Sequence, residues 1–326
     1  LFSSMYIGPT SQAPRIDEAR HDTLYELELA FETMSLKENI PPWLVDRQLR
    51  NLLVDLSGNT HRAEFCIDKL YSPDSETGRL GLLEMRGFEM TPHPQMNLLQ
   101  ALLVRACVAS FWKTPFHHPL IRWGTDLHDR FMLGHFVQED LYDVLYYLRQ
   151  QGYDFKPVWF QPFFDFRFPE YGTVQVGSIH LSLSMALEPW HVMGEELYAG
   201  NVSRSVDSSV ERVQLKVTGA QLDRYIITCN GHALPLKPTA EQGVTVAAVR
   251  FKAWAAYSSL HPTIPASSML VFDVIDRYLE RSLGGFTYHV IHPGGRNYKK
   301  VPINENEAEG RRLSRFQSSM GHSPGQ

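Results

Sequence analysis

Apolar positions recur at helical spacing through the first half of the chain and at strand spacing through the second. Leu24, Leu27, Phe31 and Met34 fall three and four apart, a stripe that predicts a helix over 15–36. A short helix is expected near 42–56. Met96 to Trp112 is apolar on most sides and is expected as a deeply packed helix. Leu127, Phe131, Val137, Leu141, Val144, Leu145 and Leu148 mark a further helix over about 126–150, ending before Gly152. Between these helices the period changes to two. Gly58 to Lys69 and Leu80 to Glu89 read as strands joined by a Pro/Asp/Gly loop at 72–78. Past residue 152 strand periodicity takes over, with candidates at 158–167, 174–186, 210–218, 223–229, 244–254, 269–276 and 285–291. Asn230-Gly231 is a hairpin signal. The pattern predicts an α+β chain: a mixed domain over 1–152, a β-rich antiparallel domain over 153–303, and a polar, flexible tail over 304–326.

Composition adds limits. The 326 residues suffice for a full core and two domains, and 43% hydrophobic with 21% charged residues is ordinary for a soluble globular protein. Net charge of −5, without a dense basic run, argues against nucleic acid as a partner. No membrane span is expected, because the apolar run from Leu98 to Trp112 is short and broken by Gln100, Arg105 and Ser110. No secretory signal opens the chain. Cys66, Cys107 and Cys229 are scattered and read as buried thiols of a reducing, cytoplasmic compartment. The start at Leu1 suggests a piece of a longer protein.

The chemistry concentrates on the two polar strands. Alternation puts Arg62, Glu64 and Asp68 on one face of the first, and Glu84 and Arg86 on one face of the second. If the strands are antiparallel neighbours, carboxylates and guanidinium groups converge on one surface. Such charge is costly unless paired or given a ligand. Mg²⁺ on a nucleotide phosphate would suit both signs, while a cross-strand Arg/Glu ladder would suit them equally.

Glu84-Met85-Arg86 followed by the helix that starts at Met96 resembles the closing strand and helix of the glutamine synthetase and carboxylate–amine ligase superfamily. The preceding Asn-x-x-Arg-Ala strand resembles its penultimate strand. Longer strings resemble the bacterial amidoligase family whose members usually follow a transglutaminase-like domain: Ser11 to Asp22, Arg122 to Arg130, Glu188-Pro189-Trp190-His191, Val206 to Arg212, and His292 to Tyr298. The resemblance implies that 1–152 is the C-terminal portion of a glutamine synthetase-like antiparallel sheet with its helices. It implies an ATP- and Mg²⁺-dependent ligase joining a carboxylate to an amine, either of which is a small molecule or part of a peptide. Glu84 and Glu64 would hold the metal, Arg62 and Arg86 the phosphates, with Asp68 and Glu89 behind them. In that superfamily further metal carboxylates come from earlier strands, and residues 1–56 contain none. The chain alone is therefore expected to fold at least partly without catalysing amide synthesis.

Other segments offer alternatives. Asp17 and His21 are one helical turn apart, as metal ligands or as a solvated first turn. His128 and His135 are about 10 Å apart on a helix, too far for one ion. The segment Glu188 to Glu196 reads as a loop supplying a base or an amine-binding carboxylate, or as a structural corner. Gly284-Gly285 and His289 through Asn297 read as a strand running into a Gly-Gly turn with Arg296, an anion site or a tight turn needing positive φ. The competing function is a non-catalytic module that presents protein substrates to a transglutaminase-like domain, using the aromatic segment Trp159 to Phe168.

Overall fold

In a computed structural model the described residues are 1–3, 21–35, 39–54, 60, 63, 65–72, 74, 76, 79–122, 126, 130, 132–189, 192–198, 201–257, 262–290 and 300–318. The chain is a mixed α/β protein with antiparallel sheets, and it divides into two compact units that interleave in sequence. The first comprises Leu1–Phe131, Glu139–Phe163 and Pro189–Asp207, and the second Met132–Gln138, Phe164–Glu188 and Ser208–Gln326. No helix among the described residues is long and apolar enough to cross a membrane.

The first unit begins with helices α1 (His21–Ser35) and α2 (Pro42–Leu49). Their stripes bury Leu27, Met34 and Leu49 together with Leu53, Ala63 and Ile67. Strands β1 (Phe65–Cys66) and β2 (Glu84–Met85) pair antiparallel, as the alternation predicted, but over only two residues each. A turn in which Leu70 and Tyr71 both donate to the Ile67 carbonyl cuts the first strand short. Helix α3 (Pro94–Lys113) starts at Pro94, and its N-cap His93 accepts from the Gln95 amide. It is not deeply packed as expected. Met96, Leu103, Ala106 and Ser110 are buried, whereas Leu98 is 70% and Trp112 88% exposed. Ser110 meets Tyr147 of helix α4 (Gly134–Gln150) at 3.1 Å.

The segment 158–167, expected as a strand, is a 3₁₀ turn (Pro157–Phe160) running into helix α5 (Gln161–Arg167). Pro157 and Pro162 sit in first turns, where a missing N–H costs nothing. Phe160, Phe163 and Phe164 are buried at helical spacing. The strands β5 (Val192–Tyr198) and β6 (Asn201–Val206) form a hairpin where a loop was expected.

The second unit is a sandwich of two five-stranded antiparallel sheets. One has the order β10-β11-β7-β4-β3, from β3 (Glu170–Val176), β4 (Ile179–Ala186), β7 (Val210–Thr218), β10 (Lys237–Pro238) and β11 (Val244–Lys252). The other has the order β14-β13-β12-β8-β9, from β8 (Tyr225–Cys229), β9 (His232–Ala233), β12 (Met269–Asp276), β13 (Arg281–His289) and β14 (Phe316–Gln317). Between them lies one core, with Leu181, Leu183, Leu215 and Phe251 from the first sheet and Ile227, Phe272, Phe286 and Tyr288 from the second. Asn230 and Gly231 turn the β8–β9 hairpin with φ of 49° and 79°, as expected of that dipeptide. The tail is ordered in part, against expectation. Helix α6 (Glu305–Leu313) is capped by Asn304, and β14 pairs with β13.

Candidate functional site

Of the expected polar surface, the part carried by Glu84 and Arg86 lies where β1 meets β2, while Arg62 and Glu64 fall outside the described residues. Register sets Cys66 opposite Glu84, so these two side chains share a face, and Arg86 follows Glu84 by one period. Arg86 Nε donates to Glu84 Oε1 at 3.1 Å and Nη2 to Oε2 at 3.3 Å. Nη1 of the same guanidinium donates to the Thr60 carbonyl. The Arg86 side chain is 13% exposed and that of Glu84 is 42%, which limits the pair to about 1 kcal/mol of stability or less. Burial raises the pKa of the Cys66 thiol. Asp68 contacts it through backbone and carboxylate, and the nearby Arg86 charge opposes the rise.

Thr60 and Asp68 also line a cleft of about 330 Å³, together with Arg50, Asn51, Val54, Ser72 and Asp74. Arg50 donates to Asp74 at 2.9 Å and to the fully buried Asp46 one helical turn earlier. Arg47 reaches the other oxygen of Asp74 at 2.9 Å. The Arg50 hydrogen bond holds the Asp74 carboxyl below the usual carboxylate range. This second cluster was not anticipated. Its signal was the Asp46/Arg50 spacing on an amphipathic helix, which also describes a plain surface pair.

Of the predicted site residues, Glu84, Arg86 and Asp68 come together. Arg62, Glu64, Asp17, His128, His191 and Arg296 lie outside the described residues, as does the His21 side chain. Glu89 is tied through its backbone to Phe2 and Gln100. Glu188 is buried and accepts from Arg250 at 2.8 Å. Gly284 and Gly285 lie within β13, and the Gly-Gly turn expected before Arg296 lies outside the described residues. A Cβ at Gly285 would stand 1.9 Å from the Phe272 carbonyl oxygen, so close strand packing explains this glycine.

Among the described residues no group of three His, Cys, Asp or Glu could hold a metal ion. Both oxygens of Glu84 accept from Arg86, which sets Glu84 to orient the guanidinium. What the arrangement offers chemically is a fixed arginine beside a polar cleft.

One family model, described as "Putative amidoligase enzyme (DUF2126)", matches residues 1–326. No curated protein and no solved structure matches the chain.

Proposed function

The chain belongs to that amidoligase family, and from this premise we propose that it carries part of the site of an ATP- and Mg²⁺-dependent carboxylate–amine ligase. The observation that supports this most is the Arg86 guanidinium, held by Glu84 and by the Thr60 carbonyl next to the Thr60–Asp68 cleft. A guanidinium fixed in this way before the ligand arrives stabilises a transferring phosphoryl group without reorganising. Bound ATP would supply the phosphoryl group that activates the carboxylate toward the amine. Arg86 and Arg50 would hold its phosphates, and the Asn51 and Ser72 side chains would add hydrogen bonds. The cleft volume, about 330 Å³, lies at the lower end for ligand sites and suits a polyphosphate or an amino acid better than a whole nucleotide. The described residues do not by themselves make a Mg²⁺ site. In this reading β1, β2 and α3 correspond to the closing strands and helix of a glutamine synthetase-like sheet, and Arg62 and Glu64 would complete the surface.

The test is calorimetric binding of Mg·ATP to the 326-residue chain and to Arg86→Lys. An ammonium cannot reproduce the guanidinium fork, so binding should weaken by about tenfold or more. Glu84→Gln should weaken it less and leave the melting temperature nearly unchanged. Equal affinity in all three proteins would reduce the pair to a scaffold ion pair.

A second reading, a non-catalytic module recognising protein substrates, is favoured by one observation. A groove of about 620 Å³ is lined by Met96, Leu98, Leu99, Leu102, Val158 and Trp159, with more apolar than polar surface. Such a module has no need of Mg·ATP, so the same titration separates the two.

A further inference from the structure

Helix α3 is apolar on two sides, and the chain covers only one of them. Met96, Gln100, Leu103, Ala106 and Ser110 turn inward and are buried. On the opposite side Leu98, Leu102, Arg105, Ala109 and Trp112 follow one another at spacings of four and three, with Val108 beside them. Leu98, Leu102, Val108 and Trp112 are between 48% and 88% exposed. A helix at a protein surface ordinarily turns polar residues to water, and here about four turns do the opposite.

The face continues into the groove described above. Leu98 and Leu102 form one wall, and Val158 and Trp159 of the 3₁₀ turn form the other, around about 620 Å³. Phe155 meets the Trp159 ring edge-on at 6.2 Å, which fixes the indole while nearly half of it stays open. Leu98, Leu102, Val108, Trp112, Val158 and Trp159 together expose on the order of 700 Å², close to the roughly 800 Å² that each partner gives to a stable complex. Monomers rarely leave a contiguous apolar patch of more than a few hundred Å² bare.

Two features say what covers it. The first is shape. Spacings of four and three are the repeat by which one helix seats another, and a concave groove takes a ridge of side chains, whereas a lipid surface is flat. The second is charge. Arg105 is exposed in the middle of the face, seven residues from Leu98 and seven from Trp112, and α3 carries no acid. Two copies of α3 packed in register would set Arg105 against Arg105 in either direction, an uncompensated pair in a desolvated seam. A carboxylate on a different helix would instead accept two hydrogen bonds from the same guanidinium.

We infer that the exposed face of α3 from Leu98 to Trp112, with the groove beside it, docks an amphipathic helix of a partner protein that places a Glu or Asp opposite Arg105. The inference uses none of the residues assigned to phosphate, so it stands apart from the ligase reading. It gives the groove of the second reading an occupant of defined chemistry, and its failure would leave the Mg·ATP titration unaffected.

The experiment follows the fluorescence anisotropy of a labelled three-heptad peptide, at nanomolar concentration, titrated with the 326-residue chain. The peptide's seam is leucine with one central glutamate, and its outer face is alanine and glutamine. A second peptide carries lysine in place of the glutamate. The glutamate peptide should bind saturably, and the lysine peptide about tenfold or more weaker. Arg105→Glu should invert that preference. Leu98→Ser and Trp112→Ser remove groups that are exposed in the free protein. Each should weaken the glutamate peptide by about tenfold or more and leave the melting temperature unchanged. Absence of saturable binding, equal affinity for the two peptides, or a preference that survives Arg105→Glu overturns the proposal. So does a dimer of the chain in light scattering that Trp112→Ser dissociates, which would give the face to a second copy. Binding to phosphatidylglycerol vesicles that Trp112→Ser removes would give it to a lipid surface and overturn the proposal as well.

Discussion

The ring of Phe316 decides whether the C-terminal segment belongs to the sandwich. It stacks on Phe286 at 4.7 Å with an interplanar angle of 27°, and it covers Gly172 of β3 so closely that a Cβ there would lie 2.4 Å from two ring carbons. Fully buried phenylalanines lose about 3–5 kcal/mol on truncation to alanine. Phe316 is only partly buried, so Phe316→Ala should cost about 2–3 kcal/mol, its aromatic contact included. For a unit of this size that corresponds to a melting temperature lower by about 4–12 °C. Gly172 has no positive φ, so alanine suits its backbone and the penalty of Gly172→Ala is steric alone. Ordinary contact begins at 3.4 Å, so the ring must retreat by about an ångström, at about 1–3 kcal/mol. In the Phe316→Ala background that penalty should vanish, giving a coupling of about the same 1–3 kcal/mol. Urea and thermal unfolding of the two single variants and the double variant measure it. Additive losses would mean that the ring does not rest on Gly172 in solution and that the C-terminal strand is not part of the sheet.

Gly285→Ala should break the β12–β13 ladder and cost more than about 3 kcal/mol, because the new methyl meets the Phe272 carbonyl. Gly310→Ala, in open space on α6, should instead gain about 0.5–1 kcal/mol, and circular dichroism melts compare them. Asp276 accepts from Arg224 at 2.7 Å and from the Tyr278 and Leu279 amides, and the Arg224 hydrogen bond leads in lowering its pKa. A lowered folded pKa gives stability that is present above the unfolded value, about 4, and lost as pH falls through the folded one. Asp276→Asn should therefore flatten the acid limb of the melting temperature against pH. Burial pushes the Cys229 thiol up to about 12, so a disulfide reagent at mildly alkaline pH should label it only after unfolding; labelling of the native protein would contradict its burial.

The long elements were legible because one physical signal dominated each. Strand β7 sends Val213, Leu215 and Val217 to the sandwich core and Arg212, Gln214 and Lys216 to its other face, and the helices α1 and α4 carry single stripes. Failures came where two signals competed. The aromatic run around Trp159 to Phe168 has strand-like composition, yet prolines at 157 and 162 start helical turns and the phenylalanines fall at helical spacing. The tail was read from its polarity. Its Asn304-x-x-Glu307 pattern is a capping box, with Asn304 accepting from the Glu307 amide at 2.9 Å and Glu307 from the Ile303 amide at 2.7 Å. That local signal outweighed composition.

The site was legible to a lesser depth, because alternation reports which face a residue occupies and not what it touches. It placed Glu84 and Arg86 together, but whether the carboxylate serves a metal or a guanidinium depends on distances that a sequence does not carry. Here both Glu84 oxygens face Arg86, so the pair presents one oriented cation and little net charge of its own. The Glu188–Arg250 pair is similar in kind, although Glu188 was read as a base or an amine ligand in a loop. In both, a carboxylate is spent on aiming an arginine, and in both the arginine is less replaceable than the acid. Arg86→Lys, which keeps the charge and loses the planar fork, therefore tests the aim of the guanidinium rather than its charge: Mg·ATP binding should weaken while the melting temperature stays nearly unchanged.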